Sequence, residues 1–278
     1  MVMRVEDLDP RAHNRAAALL LMEDLHWLGL DWDEGPYYQS DRGEVYAAAI
    51  EQLSARGLTY PCFCTRAELH AATAPHASDG TYIYQGTCRG LSPQQIAERM
   101  EKKSPATRVA VPPADDPAGH VSFIDLAYGP QQEVLARDCG DFLLQRSDGV
   151  VAYQLAVVVD DGEMGITQVV RGRDLLGSTA RQLWLSRELG YDSPTYGHVP
   201  LLVAPDGRRL SKRDKDLDMA ALREEYKRPE ALVGMLAAAI GLSEKGEEIS
   251  ADEFVERFSW TAVREHLDDV VVVDGILV

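Results

Sequence analysis

The chain has 278 residues, 45% of them hydrophobic, which is enough to bury one large core or two modest ones. Its net charge of −17 produces a field that repels polyanions, which argues against DNA as a partner. No stretch approaches the roughly 20 apolar residues that span a bilayer, and the first residues lack the pattern of a secretory signal. We therefore expect a cytoplasmic globular protein without a membrane partner.

The first half of the chain mixes helical and strand patterns. Apolar residues recur at helical spacing before Gly29 and before Gly57, and either glycine can end a helix. Apolar and polar residues alternate further along, which is typical of strands. The elements predicted in this part are helices over 14–28, 42–56 and 93–102 and strands over 107–111 and 120–124.

The second half contains two apolar runs, 150–159 and 168–172, followed by a helical pattern over 179–189. Apolar runs that alternate with helices indicate buried parallel strands in an α/β sheet. Because ligands bind outside the carboxyl ends of such strands, we expect Asp160 and Arg171 to lie near a site. Further helices, predicted over 229–240 and 251–258, indicate a small helical domain at the end of the chain.

Three of the four cysteines lie close together in the sequence. In a reducing compartment, the clustering of Cys62, Cys64 and Cys88 indicates a metal before a disulfide. A closed tetrahedral zinc site needs a fourth donor, and the spacing leaves that donor open. The candidates for it are Tyr84, His70 and His76. The alternative is three reduced, buried cysteines, and Cys139, which stands alone, is predicted to be a packing residue.

Two charged segments are also candidate sites. Residues 4–9 carry three carboxylates within four positions, which suits an ammonium group or a ribose hydroxyl. Residues 208–213 form the densest basic stretch in an otherwise acidic chain, so any contact with a nucleic acid must be local, and Lys212 could neutralise phosphate charge in a transition state. Taken alone, each segment is better explained as a solvated loop.

Together, these segments resemble the catalytic core of class I glutamyl-tRNA synthetases in order and spacing, over nearly the whole chain. The motifs that match are Arg-x-Glu-Asp-x-Asp at 4–9, Tyr153 to Asp161, Val-Arg-Gly at 170–172, His-Val-Pro-Leu at 198–201 and Arg-Leu-Ser-Lys-Arg at 209–213. The last is similar to the Lys-Met-Ser-Lys-Ser loop of that class. Cys62-x-Cys64 with Tyr84-Gln-Gly-Thr-Cys88 is similar to the zinc module of the glutamyl-Q tRNA(Asp) synthetases.

The resemblance implies an α/β fold with a Rossmann-like parallel sheet, a zinc-binding insertion and a small C-terminal helical domain. The implied limits are 1–57 with 140–204 for the nucleotide-binding catalytic domain, 58–139 for the insertion and 205–278 for the signature loop and helical domain. In that family a strand and a first signature motif, His-Ile-Gly-His, precede the Arg-Glu-Asp motif. We expect either a start assigned at an internal methionine or a true truncation, and the retained site residues favour the first.

The resemblance also implies roles for individual residues. Glu6 would receive the α-ammonium of glutamate, while Tyr153 and Arg171 would fix its carboxylates, the arginine as a bidentate fork. The ATP-binding residues would be Leu210, Ser211 and the catalytic Lys212, with Mg²⁺ accompanying the nucleotide. Tyr84 would complete a structural Zn²⁺ site with the three clustered cysteines Cys62, Cys64 and Cys88.

The implied reaction is ATP-dependent formation of glutamyl adenylate, followed by transfer of glutamate to the queuosine base of tRNA(Asp). The implied partners are therefore glutamate, ATP and tRNA(Asp). Two alternatives stay open from the sequence. The chain could be a fragment of an ordinary glutamyl-tRNA synthetase, or a non-catalytic relative that keeps the fold to bind tRNA or another partner.

Overall fold

The fold is taken from a computed structural model that describes residues 1–9, 14–65, 68, 83–84, 86–208, 210, 219–273 and the backbone of 276–277. Its helices are α1 (Arg15–Trp27), α2 (Gly43–Ala55), α3 (Pro93–Met100), α4 (Leu135–Asp138), α5 (Tyr153–Glu163), α6 (Thr179–Leu189), α7 (Met219–Tyr226), α8 (Pro229–Ala239), α9 (Ala251–Arg257) and α10 (Trp260–Glu265). Its strands are β1 (Val2–Val5), β2 (Glu34–Tyr38), β3 (Thr59–Cys62), β4 (Ala106–Val109), β5 (His120–Asp125), β6 (Gly129–Val134), β7 (Phe142–Gln145), β8 (Gln168–Gly172), β9 (Thr195–Val199), β10 (Leu202–Val203), β11 (Val270–Val273) and β12 (Ile276–Leu277).

The predicted helices α1, α2, α3, α6, α8 and α9 are confirmed to within two residues at either end. Local capping explains where several begin. The Asn14 side chain accepts a hydrogen bond from the Ala17 amide at the start of α1, and Ser92 and Ser250 form capping boxes at α3 and α9. Within the described ranges, no helix is both long and apolar enough to cross a bilayer.

The sheets are mixed rather than uniformly parallel. The largest has the order β6-β5-β9-β8, with β8 and β5 parallel to β9 and β6 antiparallel to β5. A second, antiparallel sheet has the order β3-β4-β7. The predicted strands at 107–111, 120–124 and 168–172 are confirmed as β4, β5 and β8.

One hydrophobic core runs through the middle of the chain. It joins Val109, Val121 and Leu135, from the range predicted to be an insertion, with Leu155 and Trp184 from the predicted catalytic domain. β5 of the first range also pairs with β9 of the second. Cys139 is buried in the same core, which confirms it as a packing residue. The predicted domain limits stay a prediction.

The part of the chain after residue 205 contains strands as well as helices. α7, α8, α9 and α10 follow one another there. β11 pairs in parallel with β10, where Leu202 lies opposite Val270, and antiparallel with β12. Backbone hydrogen bonds therefore attach the end of the chain to the segment that leads into the predicted signature loop.

The prediction of a strand over 150–159 is wrong. That run forms α5, whose six central residues, from Leu155 to Asp160, are all buried. α5 lies between α2 and α6, so no face of the helix keeps a polar stripe that would reveal the helical period. A short, continuous apolar run rich in valine is compatible with a buried strand or a buried helix, and here tertiary packing decides. Asp160 accordingly lies on a helix and not at a strand end.

Asp160 is a fully buried carboxylate with several donors around it. It accepts hydrogen bonds from Gln39 Nε2 at 2.8 Å, Arg42 Nε at 2.7 Å and the Tyr46 hydroxyl at 2.9 Å. Arg4 Nε of β1 lies 3.6 Å from the same carboxylate. A buried charge is tolerated only when it is paired and hydrogen-bonded, so these contacts fix α5 against α2 and β1.

We expect Asp160→Asn to destabilise the protein by about 3 kcal/mol or more, because the change leaves the partly buried Arg42 beside a neutral amide. Urea unfolding followed by circular dichroism measures the loss. Asp192→Asn, which makes the same chemical change at an exposed position, is the matched control. A loss no larger in Asp160→Asn than in this control would contradict the role given to Asp160.

Candidate functional site: a charged cluster and a cysteine cluster

Residues 4–9, the segment predicted to bind an ammonium group, begin inside β1 and continue past its end. Arg4, inside the strand, donates to Asp161 Oδ1 at 2.8 Å and lies 3.6 Å from Glu6 Oε1. Asp7 is buried and accepts from the Ser40 amide at 2.9 Å and the Ser40 hydroxyl at 2.7 Å. The hydrogen bonds from Ser40 to Asp7 therefore hold the turn after β1 in place. The neighbouring Glu6 side chain stays 45% exposed, so a ligand can reach it.

The charges of this segment act on each other. Partial burial raises the pKa of the Glu6 carboxyl, although Arg4 acts in the opposite direction. Burial raises the pKa of Asp161 in the same way, again against Arg4. An ammonium group placed beside Glu6 would favour its ionised form, so the site is suited to bind a cation there.

The three residues predicted to bind glutamate influence one another electrostatically. Tyr153 is the first residue of α5 and is half-buried. Burial raises the pKa of its hydroxyl, the guanidinium of Arg171 lowers it and the charge of Glu6 raises it. Arg171 and Glu6 are therefore near enough to Tyr153 for their charges to act on its hydroxyl.

Arg171 lies near the carboxyl end of β8, as predicted. It donates four hydrogen bonds, from Nε to His198 Nε2 at 3.0 Å, Nη1 to Gln182 Oε1 at 2.8 Å, and Nη2 to the Leu175 carbonyl at 3.1 Å and Thr179 Oγ1 at 2.9 Å. A guanidinium has five N–H groups, so one, on Nη1, remains beyond these four. The free bidentate fork expected from the sequence is therefore not available unless an internal partner is displaced.

The residue after Arg171 is Gly172, and a side chain at this position would overlap with its neighbours. A Cβ atom there would lie 2.7 Å from Asp174 Oδ1 and 2.8 Å from Leu201 Cδ2. Both distances are shorter than real Cβ contacts, so a larger residue at position 172 would displace the ends of the Asp174 and Leu201 side chains.

His198 and Asp125 form a buried pair behind Arg171, and neither was assigned a role from the sequence. Both are fully buried, and His198 Nδ1 lies 2.6 Å from Asp125 Oδ2. Burial lowers the pKa of His198, and Arg171 adds to this, while Asp125 opposes both. The His-Val-Pro-Leu motif marked the position of His198. Asp125, at the end of an ordinary alternating strand, carried no such signal.

The lowered pKa of His198 predicts how stability changes with pH. A histidine whose folded pKa lies below its ordinary 6.5 contributes stability that is present above pH 6.5 and is lost as the pH falls towards the folded pKa. We expect the stability advantage of the wild type over His198→Gln to shrink between pH 7.5 and 5.5, as measured by urea unfolding. The same series for His120→Gln gives the comparison for an exposed histidine. An advantage that stays constant would contradict the sign.

The predicted ATP-binding residues fall mostly outside the described part of the chain. Leu210 is half-buried and follows the turn after β10. Ser211 and Lys212 lie outside the described residues. Their roles stay predictions.

The clustered cysteines come together around Tyr84. Cys64 Sγ lies 3.6 Å from Cys88 Sγ and 3.4 Å from the Tyr84 hydroxyl oxygen, and Cys62 Sγ lies 3.6 Å from that oxygen. The three sulfur atoms lie within 4.8 Å of one another. In a tetrahedral site with metal–sulfur bonds of about 2.3 Å, two sulfurs are about 3.8 Å apart. The four atoms therefore fit around one metal ion.

Polar groups around the cluster favour negatively charged ligands. The Phe63 amide donates to Cys88 Sγ at 3.4 Å, and the Cys88 amide donates to the Tyr84 oxygen at 2.8 Å. The buried Arg108 donates from Nε to Cys62 Sγ at 3.4 Å and lies over the Tyr84 ring at 4.0 Å. Hydrogen bonds from surrounding groups to metal ligands orient the ligands and offset their charge. The other candidates for the fourth ligand, His70 and His76, lie outside the described residues.

Comparison with known proteins identifies the family. The model of the catalytic domain of class I tRNA synthetases (E and Q) matches residues 1–272. The chain belongs to this family, which is a family of ligases. The family expected from the sequence motifs is thereby confirmed.

Individual proteins show which enzymes the chain resembles. The chain is 44% identical over 269 residues to the glutamyl-Q tRNA(Asp) synthetase of Symbiobacterium thermophilum, covering 92% of this chain and 81% of that protein. It is 48% identical over 225 residues to that of Geobacter sulfurreducens, covering 80% of this chain and 68% of the relative. Glutamate–tRNA ligase 1 of Halorhodospira halophila is 42% identical over 246 residues, with 85% of this chain and 50% of the ligase covered.

A solved structure supports the fold assignment. A glutamate tRNA ligase from Elizabethkingia meningosepticum, in complex with its amino acid, superposes with a TM-score of 0.76 at 27% identity. The match covers 98% of this chain and 60% of that ligase. The mixed sheets and surrounding helices described above are therefore those of a class I synthetase.

Proposed function

We propose that the protein activates glutamate with ATP and transfers it to the queuosine base of tRNA(Asp). The observation that supports the first half is that the charges of Arg171 and Glu6 both act on the Tyr153 hydroxyl. An α-amino acid with an acidic side chain offers one cation and two anions, which matches a carboxylate on one side of the site and a guanidinium on the other. The Tyr153 hydroxyl supplies a further donor for a carboxylate.

Activation joins the amino acid to the nucleotide. The α-carboxylate of glutamate attacks the α-phosphorus of ATP, and pyrophosphate leaves with Mg²⁺ accompanying the phosphates. Leu210, Ser211 and Lys212 are proposed to bind ATP, with the Lys212 ammonium countering charge that develops on the phosphate oxygens. Glu6 holds the ammonium group away from the reacting carboxylate, so that the carboxylate alone reaches the phosphorus.

The choice of tRNA rests on likeness rather than on the site. The relatives named glutamyl-Q tRNA(Asp) synthetase are matched over two thirds or more of their length, whereas half of the Halorhodospira ligase is matched. We therefore propose tRNA(Asp) with queuosine as the acceptor. Transfer to tRNA(Glu) is the second candidate, supported by the likeness to glutamate–tRNA ligases.

Incubation with ATP, labelled glutamate and purified tRNA tests this proposal. We expect label on queuosine-containing tRNA(Asp) and none on the same tRNA that lacks queuosine. Label on tRNA(Glu) would favour the second candidate. No label on any tRNA, together with no exchange of pyrophosphate into ATP, would contradict both and favour a non-catalytic protein that keeps the fold.

The role of Arg171 predicts a specific loss. Arg171→Gln removes the positive charge that faces the substrate carboxylate, and a charge-assisted hydrogen bond contributes about 1.5–3 kcal/mol. We expect glutamate binding, measured by calorimetry, to weaken about tenfold or more. Arg137→Gln, which removes an exposed arginine paired with Asp138, is the matched control. Equal glutamate affinity in the two variants would rule out Arg171 as a ligand.

We also propose that Cys62, Cys64, Cys88 and Tyr84 bind a structural Zn²⁺ ion. Three thiolates with a phenol oxygen beside them would form a closed donor set, which is typical of structural rather than catalytic zinc. When bound, the ion cross-links β3 to the loop that carries Tyr84 and Cys88. Arg108 offsets part of the negative charge of the ligands.

Metal analysis of protein purified without added metal tests the zinc proposal. We expect about one Zn²⁺ ion per chain in the wild type and a stoichiometry well below one in Cys88→Ser, because a closed site that loses a ligand binds zinc more weakly. Cys139→Ala removes a buried cysteine outside the cluster and is expected to keep the wild-type stoichiometry. A wild-type value near zero would leave three reduced, buried cysteines.

A further inference from the structure

We propose that Asp125 and His198 are positioning residues that aim the Arg171 guanidinium at the substrate carboxylate without neutralising its charge. The proposal rests on the function proposed above, because it takes Arg171 as a ligand of glutamate. Neither residue touches the substrate. Each acts through the hydrogen bond that it makes to the next group in a buried chain.

Asp125 is the fixed end of this chain. It lies at the carboxyl end of β5 and is fully buried. Its Oδ1 atom accepts from the backbone amides of Ala127 at 3.0 Å, Tyr128 at 2.8 Å and His198 at 3.3 Å. Three N–H donors that converge on one oxygen leave the carboxylate a single orientation. Oδ2 is thereby turned towards the His198 ring.

His198 transmits that orientation. Its Nδ1–H donates to Asp125 Oδ2 over 2.6 Å, so Nε2 carries the lone pair and accepts from Arg171 Nε over 3.0 Å. The ring is stacked on Tyr196, with 6.2 Å between centroids and 12° between planes. Arg171 lies over the same Tyr196 ring at 5.0 Å. Both the hydrogen bond and the stacking therefore restrict the guanidinium plane.

All four acceptors that hold Arg171 are uncharged: an imidazole nitrogen, an amide oxygen, a backbone carbonyl and a hydroxyl. A carboxylate in direct contact would orient the guanidinium equally well, but the resulting ion pair would cancel its attraction for a substrate anion. The imidazole keeps Asp125 one ring further away. Arg171 is consequently held rigidly while its charge remains available for a carboxylate.

Asp125→Asn separates orientation from packing, because it keeps the size of the side chain. The three amides at Oδ1 require an acceptor, so the new amide oxygen must lie there and the NH₂ group must face His198 Nδ1. Nδ1 then becomes the acceptor and Nε2 carries the hydrogen, as happens when the aspartate that orients the histidine of a serine protease is changed to asparagine. That hydrogen points at the Arg171 Nε–H, so two donors oppose each other and the arginine loses its position.

Nitrogen NMR of ¹⁵N-histidine-labelled and ¹⁵N-arginine-labelled protein tests the proposal directly. In the wild type we expect His198 with a protonated Nδ1 and a bare Nε2, and an Arg171 Nε–H that exchanges slowly with solvent. In Asp125→Asn we expect the two ring nitrogens to exchange roles and the Arg171 Nε–H to exchange faster. Glutamate affinity, measured by calorimetry, is expected to fall about tenfold or more.

Two further variants keep the test decisive if Asp125→Asn folds poorly. His198→Gln can place a carbonyl oxygen near Arg171 Nε, whereas His198→Leu cannot, so the first is expected to retain more glutamate affinity than the second. Asp116→Asn, which makes the same change at an exposed cap, is the control and is expected to leave both NMR signals unchanged.

Two results overturn the proposal. One is a wild-type His198 with a bare Nδ1, and the other is a glutamate affinity within twofold of wild type in Asp125→Asn despite exchanged ring nitrogens. Failure of the proposed function is recognised separately. If the wild type binds no glutamate, yet the His198 nitrogens and Arg171 Nε–H respond as expected, then Asp125 and His198 do position Arg171 and its ligand is a different anion.

Discussion

The buried carboxylate of Asp160 is the interaction on which the geometry of the site depends most. It joins α5 to the segment that carries Gln39, Arg42 and Tyr46, and it lies 3.6 Å from Arg4 of β1. A charge removed from water must keep its partners, so these elements cannot slide past one another without a large energetic cost. Asp160 therefore fixes α5, α2 and β1 relative to one another.

The arrangement of the proposed glutamate site follows from that constraint. α5 carries Tyr153 at its first turn and Asp161 next to the anchoring Asp160, while β1 leads directly into Glu6. Arg4 connects the two elements through its hydrogen bond to Asp161. The arginines near these elements consequently divide into two groups. Arg4 and Arg42 are paired with carboxylates and hold the fold, whereas the four hydrogen bonds described for Arg171 go to neutral acceptors.

Local features were predictable from the sequence, and contacts between distant residues were not. Helical patterns in the sequence predicted α1, α3 and α9, and the cysteine spacing predicted a cluster that the structure brings together. α5 was predicted as a strand because its residues from Leu155 to Asp160 are all buried, so this part of the sequence keeps no helical stripe of polar residues. The hydrogen bond between Asp125 and His198 spans 73 positions in the chain and leaves no local pattern.

The proposed function requires one pocket that receives zwitterionic glutamate between Glu6 and Arg171. A crystal structure of the protein soaked with glutamate would reveal the orientation of the bound amino acid. We expect the amino group within hydrogen-bond distance of Glu6 and a carboxylate that contacts Tyr153 and the remaining N–H of Arg171, with the bond from Arg171 to His198 intact. Glutamate bound in the reverse orientation, or bound elsewhere with this pocket empty, would contradict the proposed function.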